Sequence, residues 1–329
     1  MPTAAPGVNV SLANASDALF KWTVLVYAIA MFAYSAEFAF TRIARSRADQ
    51  ATKAERIGRL AVGLTVVGWL LHIGSVVTRG AAVSRVPWGN MYEFSTMVAL
   101  VAVTVFLALL LRQPVRFLGM FVMTPVVLYL GLAGTVLYAP AAPLQPILNS
   151  YWIKIHVVAA ITASGAFMVS GVITVLYLMK SWLERRAGAV SLGPGAAAAV
   201  ELRSDATGVR GSARAMVDGL ARWLPDSDRL DRLAYRVIGF AFPVWTFAII
   251  AGAIWAKYAW SRYWGWDPKE TWSFITWVAY AAYLHARATA GWRGRRAAYL
   301  SLVGFGCLMV DYYVVNTVIT GLHSYAGVN

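Results

Sequence analysis

The chain has 329 residues, of which 59% are hydrophobic and only 13% are charged, and its mean hydropathy is +0.59. So few charges do not cover the surface of a soluble globule of this size, and the composition therefore indicates an integral membrane protein. The formal net charge of +14 would suit a nucleic-acid-binding protein. No basic stripe with interleaved aromatic residues accompanies that charge, however, so no nucleic-acid partner is predicted.

Eight apolar spans follow one another along the chain, each near the roughly 20 residues that a helix needs to cross a hydrocarbon core. They are predicted at residues 18–40, 58–78 or 58–84, 94–111, 117–138, 153–179, 237–256, 270–286 and 297–320. The predicted fold is an all-α integral membrane protein, a bundle of about eight transmembrane helices that forms a single membrane domain.

The longest polar segment, residues 181–236, separates the fifth span from the sixth. Its Gly, Ala and Pro content is typical of a mobile linker, and apolar residues at helical spacing in 213–224 and 230–238 predict a helix lying on the cytoplasmic membrane surface. The chain is accordingly divided into residues 1–180 with five transmembrane helices, this linker, and residues 237–329 with the last three.

Basic residues alternate with the spans, since 22 of the 29 Lys and Arg fall in four alternate polar segments. By the positive-inside rule these segments face the cytoplasm. Both termini and the connections 79–93, 139–152 and 257–269 are then predicted to be extracytoplasmic, in a multi-pass protein of the cytoplasmic membrane. The N-terminal segment has no positively charged n-region, so the first span is expected to remain in the mature protein.

The four histidines, His72, His156, His285 and His323, each lie in or beside a different apolar span. A histidine in lipid is costly unless it is ligated or hydrogen-bonded, and each one taken alone fits a hydrogen bond to a neighbouring helix equally well. His156 and His323 are predicted at outer helix ends, where two imidazoles can meet. His285 lies about 15 residues, or roughly 22 Å, from the outer end of its helix. His72 lies roughly 9 or 18 Å down, depending on where its helix ends, which leaves a pairing with His285 open.

Six of the 14 tryptophans fall between residues 255 and 277, and the centre of this cluster reads WSRYWGWDPKETW. An interfacial aromatic belt would spread around the whole bundle, whereas this cluster is concentrated in one loop. Next to two imidazoles, such a surface suits a flat, hydrophobic, iron-containing ligand such as haem. The order Asp267, Pro268, Glu270 also predicts an N-cap for the seventh helix. Glu93 is predicted either to cap or close its own loop or to have a purely structural role.

The run WGWDPKETWSFITWVAYAAYLHAR, with Trp260 before it, closely resembles the tryptophan-rich WWD signature of the haem-handling proteins of cytochrome c biogenesis. Further matches are VPWGNMYEFSTM at 86–97, YWIKIHV at 151–157 and GLHSYAG at 321–327. The number and order of helices are similar to the system II family called CcsA or ResC, named CcsB in actinobacteria. Ser261 departs from the family pattern, which often has glycine after the tryptophan.

This resemblance implies that the WWD loop binds haem b outside the membrane. His156 and His323 would be the catalytic residues, as axial ligands of the haem iron, and His285 would belong to a second haem site within the bilayer. The second ligand of that inner site is either His72 or a histidine of a partner subunit. The other residues implied in haem binding are Trp260, Trp264, Trp266, Asp267 and Trp272.

The implied function is delivery of haem across the membrane and its covalent attachment to apocytochromes c through their CxxCH motif. A ResB-type membrane subunit would be needed for this haem lyase activity, and thiol-reducing thioredoxin-like proteins would be further partners. Two alternatives remain: a haem permease without attachment activity, and a haem b electron-transfer subunit. The latter commonly places two histidine ligands on one helix, and no predicted span here carries two.

Overall fold

The structure is a computed structural model that describes residues 7–43, 48–144, 146–191, 219, 222–319 and 321–322. Within these residues the fold is all-helical, which confirms the predicted class. Its eight long helices are α1 (Val10–Ile43), α2 (Ala48–Ala82), α3 (Met91–Arg112), α4 (Leu118–Thr135), α5 (Tyr151–Ser191), α6 (Ser227–Trp260), α7 (Pro268–Ala288) and α8 (Arg295–Met309). A π-helical stretch, Val310–Val314, and a last turn, Val315–Thr317, continue α8.

Seven of these helices are long and apolar enough to cross a membrane. The remaining helix, α7, has 21 residues, and it includes the charged side chains of Lys269, Glu270 and Arg287 near its two ends. Its length corresponds to about 31 Å, which matches the roughly 30 Å of a hydrocarbon core. The eight predicted spans therefore correspond one to one with the eight helices.

Helix α6 begins earlier than predicted. Its start at Ser227 makes residues 230–238 the first part of α6, which differs from the surface helix predicted there. Leu230, Leu233 and Val237 are buried, and α6 packs along α5 over most of its length. The helical spacing of these apolar residues thus reflects packing between two helices. The other predicted part of the surface helix, 213–224, lies almost entirely outside the described residues.

Helix α5 occupies the centre of the bundle. It packs against α6, α3 and α8. Of the residues in its most apolar 18-residue segment, 78% are buried within the protein. Phe167 of α5 stacks on Tyr280 of α7 with 3.9 Å between ring centroids. The helices α1 and α2 form a second close pair, and α7 packs chiefly against α8. A histidine near one end of α5 is consequently surrounded by several helices.

Because successive helices run in opposite directions, several connections meet at one end of the bundle. We call it the aromatic end and define it by the α6–α7 loop, residues 261–267. The α2–α3 connection, the start of α5 and the continuation of α8 lie at the same end, where they line one cavity. At the opposite end, Arg287 of α7 forms a bidentate ion pair with Asp231 of α6 at 2.7 and 2.8 Å.

Candidate functional site

A cavity of about 1270 Å³, partly open to solvent, lies at the aromatic end. Its walls come from the α2–α3 connection, α5, α6, the α6–α7 loop, the start of α7 and the continuation of α8. The lining is mainly apolar and aromatic, and it includes His156 of α5. The cavity therefore suits a mostly apolar ligand.

His156 is half-buried in the second turn of α5. Its Nδ1 lies 2.7 Å from the backbone carbonyl of Ala248 in α6. A carbonyl only accepts, so Nδ1 carries the proton and the lone pair of the neutral ring is on Nε2. Metal-ligating histidines commonly have such a hydrogen bond, since it fixes both the tautomer and the ring orientation.

Gly252 makes room for this imidazole. A Cβ atom at position 252 would lie 2.7 Å from Nδ1 of His156 and 2.8 Å from Cε1. Ala248 and Gly252 are one helical turn apart, so the ring lies over a surface of small side chains on α6. The close approach of the imidazole to the α6 backbone depends on glycine here.

The α6–α7 loop is organised around one carboxylate. Glu270 accepts hydrogen bonds from the backbone N–H of Gly265 at 2.7 Å and of Asp267 at 3.2 Å. Asp267 and Glu270 form a capping box at the start of α7 with Pro268 in the first turn, which confirms the predicted N-cap. Ser261 ends α6 with a φ of +58°, in the left-handed region, which explains why glycine suits this position.

The tryptophans of the cluster have different environments. Trp260 and Trp264 line the cavity, whereas Trp266, Asp267 and Trp272 are not among its lining residues. Trp260 packs edge-to-face on the buried Trp255 with 4.8 Å between centroids. Trp264 packs edge-to-face on Trp266 at 5.8 Å. Trp266, 67% exposed, thus supports Trp264 from the loop surface.

Asp267 connects the loop to the C-terminal segment. Its Oδ1 accepts a hydrogen bond of 2.8 Å from the backbone N–H of Leu322, and a Cβ at Gly321 would lie 2.8 Å from the same oxygen. His323, the second predicted external ligand, follows directly in the sequence but lies outside the described residues. The structure thus places Leu322, the residue before His323, beside the α6–α7 loop.

A polar group forms one part of the cavity wall. Lys269 donates a hydrogen bond of 3.0 Å to the backbone carbonyl of Asp311, and its Nζ lies 3.9 Å from the carboxylate of the same residue. Asn316 donates to that carbonyl at 3.3 Å. Asp311 belongs to the π-helical stretch, a distortion that often marks functional sites.

Several lining residues carry no sequence signal strong enough to identify them. Trp88, Gly89 and Asn90 come from the α2–α3 connection, while Trp245 and Tyr312 come from the interior of the bundle. Trp88 lies in a segment that resembles the family, but that match alone does not assign it a role. Buried tryptophans such as Trp245 look like ordinary core residues in a sequence.

His72 is completely buried in α2. Its Nδ1 lies 3.5 Å from the hydroxyl of Tyr27, whose ring packs edge-to-face on the imidazole, and the backbone of Thr96 is nearby. Its Nε2 has no hydrogen-bond partner within the described protein. The helices α1 and α3 therefore enclose this imidazole.

His285 has the opposite environment. Its side chain is exposed and lies in the last turn of α7, about 26 Å along the helix from Pro268. Within the described part of the chain, no hydrogen bond or ring contact joins His285 to His72. The same residues contain no group of three or more His, Cys, Asp or Glu that could hold a metal ion. A single imidazole such as His156 suits iron that brings its own equatorial ligands.

The chain is similar to proteins of known families. The sequence model of the family described as "Cytochrome C assembly protein" matches residues 88–323. The Cytochrome c biogenesis protein CcsA of Gloeobacter violaceus is 37% identical over 294 residues, which cover 81% of this chain and 86% of the relative. The protein of the same name from Porphyra purpurea is 32% identical over 307 residues, covering 90% of this chain and 92% of the relative.

Proposed function

Because the chain belongs to the cytochrome c assembly protein family, and is thus a multi-pass membrane protein of cytochrome c biogenesis, we propose that it delivers haem and supports its covalent attachment to apocytochromes c. The substrate protein supplies a CxxCH motif, and a ResB-type membrane subunit completes the activity. The observation that carries this proposal is the cavity at the aromatic end, where a histidine of fixed tautomer lies among tryptophans.

The cavity residues fit haem in chemistry. The mainly apolar lining, which contains several tryptophans, suits a flat macrocycle, and the lone pair of His156 is on Nε2, the nitrogen opposite its hydrogen bond to α6. Trp260 and Trp264 offer stackable apolar surface. His156 would ligate the iron, and His323 is the proposed ligand on the other side.

The chain's own contribution to attachment is positioning. With the iron held by histidine and the ring against tryptophan, the two vinyl groups have a fixed location. Each cysteine thiol of the substrate then adds across one vinyl double bond: sulfur bonds to the inner vinyl carbon, and a proton adds to the terminal carbon. This addition needs no oxidant or reductant. The thiols have to be reduced beforehand, and thiol-reducing thioredoxin-like proteins are the proposed source.

His285 is proposed to ligate haem at an inner site before it reaches the cavity. Its side chain is exposed at the far end of α7, whereas His72 is enclosed by α1 and α3. We therefore propose that the ResB-type subunit, in place of His72, supplies the second ligand for His285.

The proposed location is the cytoplasmic membrane, with the aromatic end outside. The 22 basic residues of the alternate segments are then cytoplasmic, as the positive-inside rule requires. A reporter fused at Gly195 is expected to be cytoplasmic and one fused after Asn329 extracytoplasmic. Two reporters on the same side would contradict this orientation.

Holocytochrome formation tests the proposal. A bacterial host without its own attachment system would express this chain, a ResB-type subunit and a CxxCH apocytochrome. Covalent haem that survives denaturing electrophoresis is expected, and His156→Ala should abolish most of it. Trp22→Ala, which removes a 58% exposed indole from α1, is the control for general damage. Haem that co-purifies without any attachment would favour the permease instead, and absence of haem would contradict both functions.

A further inference from the structure

Two turns of the bundle have the same construction. One leads into α3 and, with the first residues of that helix, spans 85–93, and the other leads into α7 and likewise spans 262–270. Each contains a Trp-Gly pair, then the N-cap of the following helix, and then a glutamate three residues after the cap. An arginine lies eight residues before the glutamate in both. Only the second turn belongs to the tryptophan cluster.

The hydrogen bonds of the two turns also correspond. Glu93 accepts from the backbone N–H of Gly89 at 2.8 Å, and Glu270 accepts from that of Gly265 at 2.7 Å. Arg85 pairs with Glu93 at 2.8 Å, and Arg262 pairs with Glu270 at 3.4 Å. In each turn, the carboxylate therefore fixes the glycine that directly follows a tryptophan.

The first turn is the more firmly held. The side chain of Glu93 is 1% exposed, and Arg79 contacts it at 3.0 Å in addition to Arg85. Arg79 and Arg85 also donate to the carbonyls of Ala139 and Ala142, so the ion-pair network joins the α2–α3 and α4–α5 connections. Buried charges held by several hydrogen bonds give a turn little freedom to rearrange. The side chain of Trp88, which lies in this turn, is therefore held rigidly.

Both turns present their tryptophan to the same cavity, since Trp88 and Trp264 line it together. Trp88 also lines a shallow groove between α5 and α6, together with Val158 and Phe247 among others, so it lies where the groove and the cavity meet. We propose that Trp88 is a haem-binding residue of this cavity, a wall equivalent to Trp264, and that Glu93 positions it. This inference rests on the proposed function.

The test measures haem affinity by absorbance titration of the purified full chain, together with its ResB-type partner. Trp88→Ala and Trp264→Ala should each weaken haem binding about 10- to 100-fold, the effect of losing an indole's buried apolar surface. Trp88→Phe should recover part of the loss, and Trp22→Ala should bind like the parent protein. Free imidazole should restore neither alanine variant, because it replaces a ligand and not a wall.

The result that overturns the inference is distinct from failure of the proposed function. Unchanged affinity of Trp88→Ala, with clear loss in Trp264→Ala, would remove Trp88 from the haem site and leave the proposed function in place. Unchanged affinity in both variants and in His156→Gly would contradict haem binding in this cavity altogether.

The role of Glu93 is tested by a double-mutant cycle. Glu93→Gln keeps an acceptor for Gly89 and removes the charge that Arg79 and Arg85 contact. If Glu93 acts by positioning Trp88, Glu93→Gln weakens haem binding in the parent protein and adds little in the Trp88→Ala background. Equal weakening in both backgrounds would assign Glu93 a general structural role and overturn that part of the inference.

Discussion

His156 at the aromatic end differs from His72 and His285 in how many parts of the chain surround its imidazole. His156 lies where α5, α6, two connections and the continuation of α8 line a common space. His72 is completely buried between α1 and α3, and His285 lies exposed at the end of a single helix. All three are histidines in apolar helices, so the sequence alone gives them similar weight.

This difference indicates what makes an imidazole available to a ligand. At His156, one ring nitrogen is held by the carbonyl of Ala248, and the imidazole lines a cavity that is partly open to solvent. The imidazole of His72 is completely buried, and the exposed His285 needs further walls from another molecule. Among the described histidines, His156 is therefore the one expected to lie in a ligand site.

Among residues that are not themselves proposed ligands, Gly252→Ala is expected to have the largest effect. The added Cβ would lie 2.7 Å from Nδ1 of His156, so the ring must move and its hydrogen bond to Ala248 must weaken. Changes to such supporting bonds typically cost about 10- to 100-fold in metal affinity. Haem titration measures this, with Gly239→Ala as control, since a Cβ at position 239 of the same helix meets nothing within 4 Å. Equal affinities of the two variants would contradict the role of α6 in orienting His156.

His72→Ala should destabilise the bundle and leave the aromatic end intact. Removing a completely buried ring creates a cavity, and we expect a loss of about 1 to 3 kcal/mol. Thermal unfolding in detergent measures the stability, and haem titration in parallel should give the affinity of the parent protein. A stable variant that has lost haem would instead show that His72 is a haem ligand, as proposed for His156.

Asp267→Ala should have a smaller effect on stability, about 0.5 to 2 kcal/mol, because it removes the N-cap of α7. It also removes the hydrogen bond to Leu322, so haem affinity should fall as well. Asp267→Asn replaces one of the two carboxylate oxygens that accept from Leu322 and Lys269 by an amide nitrogen, and it is expected to retain part of the affinity. If Asn and Ala behave alike in haem titration, the link to the C-terminal segment does not contribute.

His285→Ala should have the smallest effect on stability, within about 0.5 kcal/mol, because the side chain is exposed. Haem in the cavity of the isolated chain should be unchanged. In the complex with the ResB-type subunit, however, total bound haem should fall, because one ligand of the inner site is gone. A stability loss as large as that of His72→Ala would show that His285 is a packing residue.

Much of the fold follows from the sequence. Eight apolar spans predict eight helices, and the order Asp267, Pro268, Glu270 predicts the cap of α7. The start of α6 is not predictable in the same way, because apolar residues at helical spacing fit both a membrane surface and a neighbouring helix. Length and periodicity are local properties, whereas the choice of packing partner is not.

The candidate site is less accessible to sequence reasoning. The cluster around Trp264 identifies one wall, but the pairing of Lys269 with Asp311 and the presence of Trp88 in the same cavity depend on how distant helices meet. The burial of His72 likewise depends on Tyr27, 45 positions earlier in the chain. Such contacts between distant residues require the three-dimensional structure.

The central claim is that His156 ligates haem in the cavity at the aromatic end, and imidazole rescue of His156→Gly tests it most directly. Glycine removes the ligand and leaves a space of the same shape. The purified variant, with its partner subunit, should lose the low-spin haem spectrum of the parent protein and regain much of it when free imidazole is added, and holocytochrome formation should recover in parallel. A parent-like spectrum of the variant without imidazole would contradict the claim.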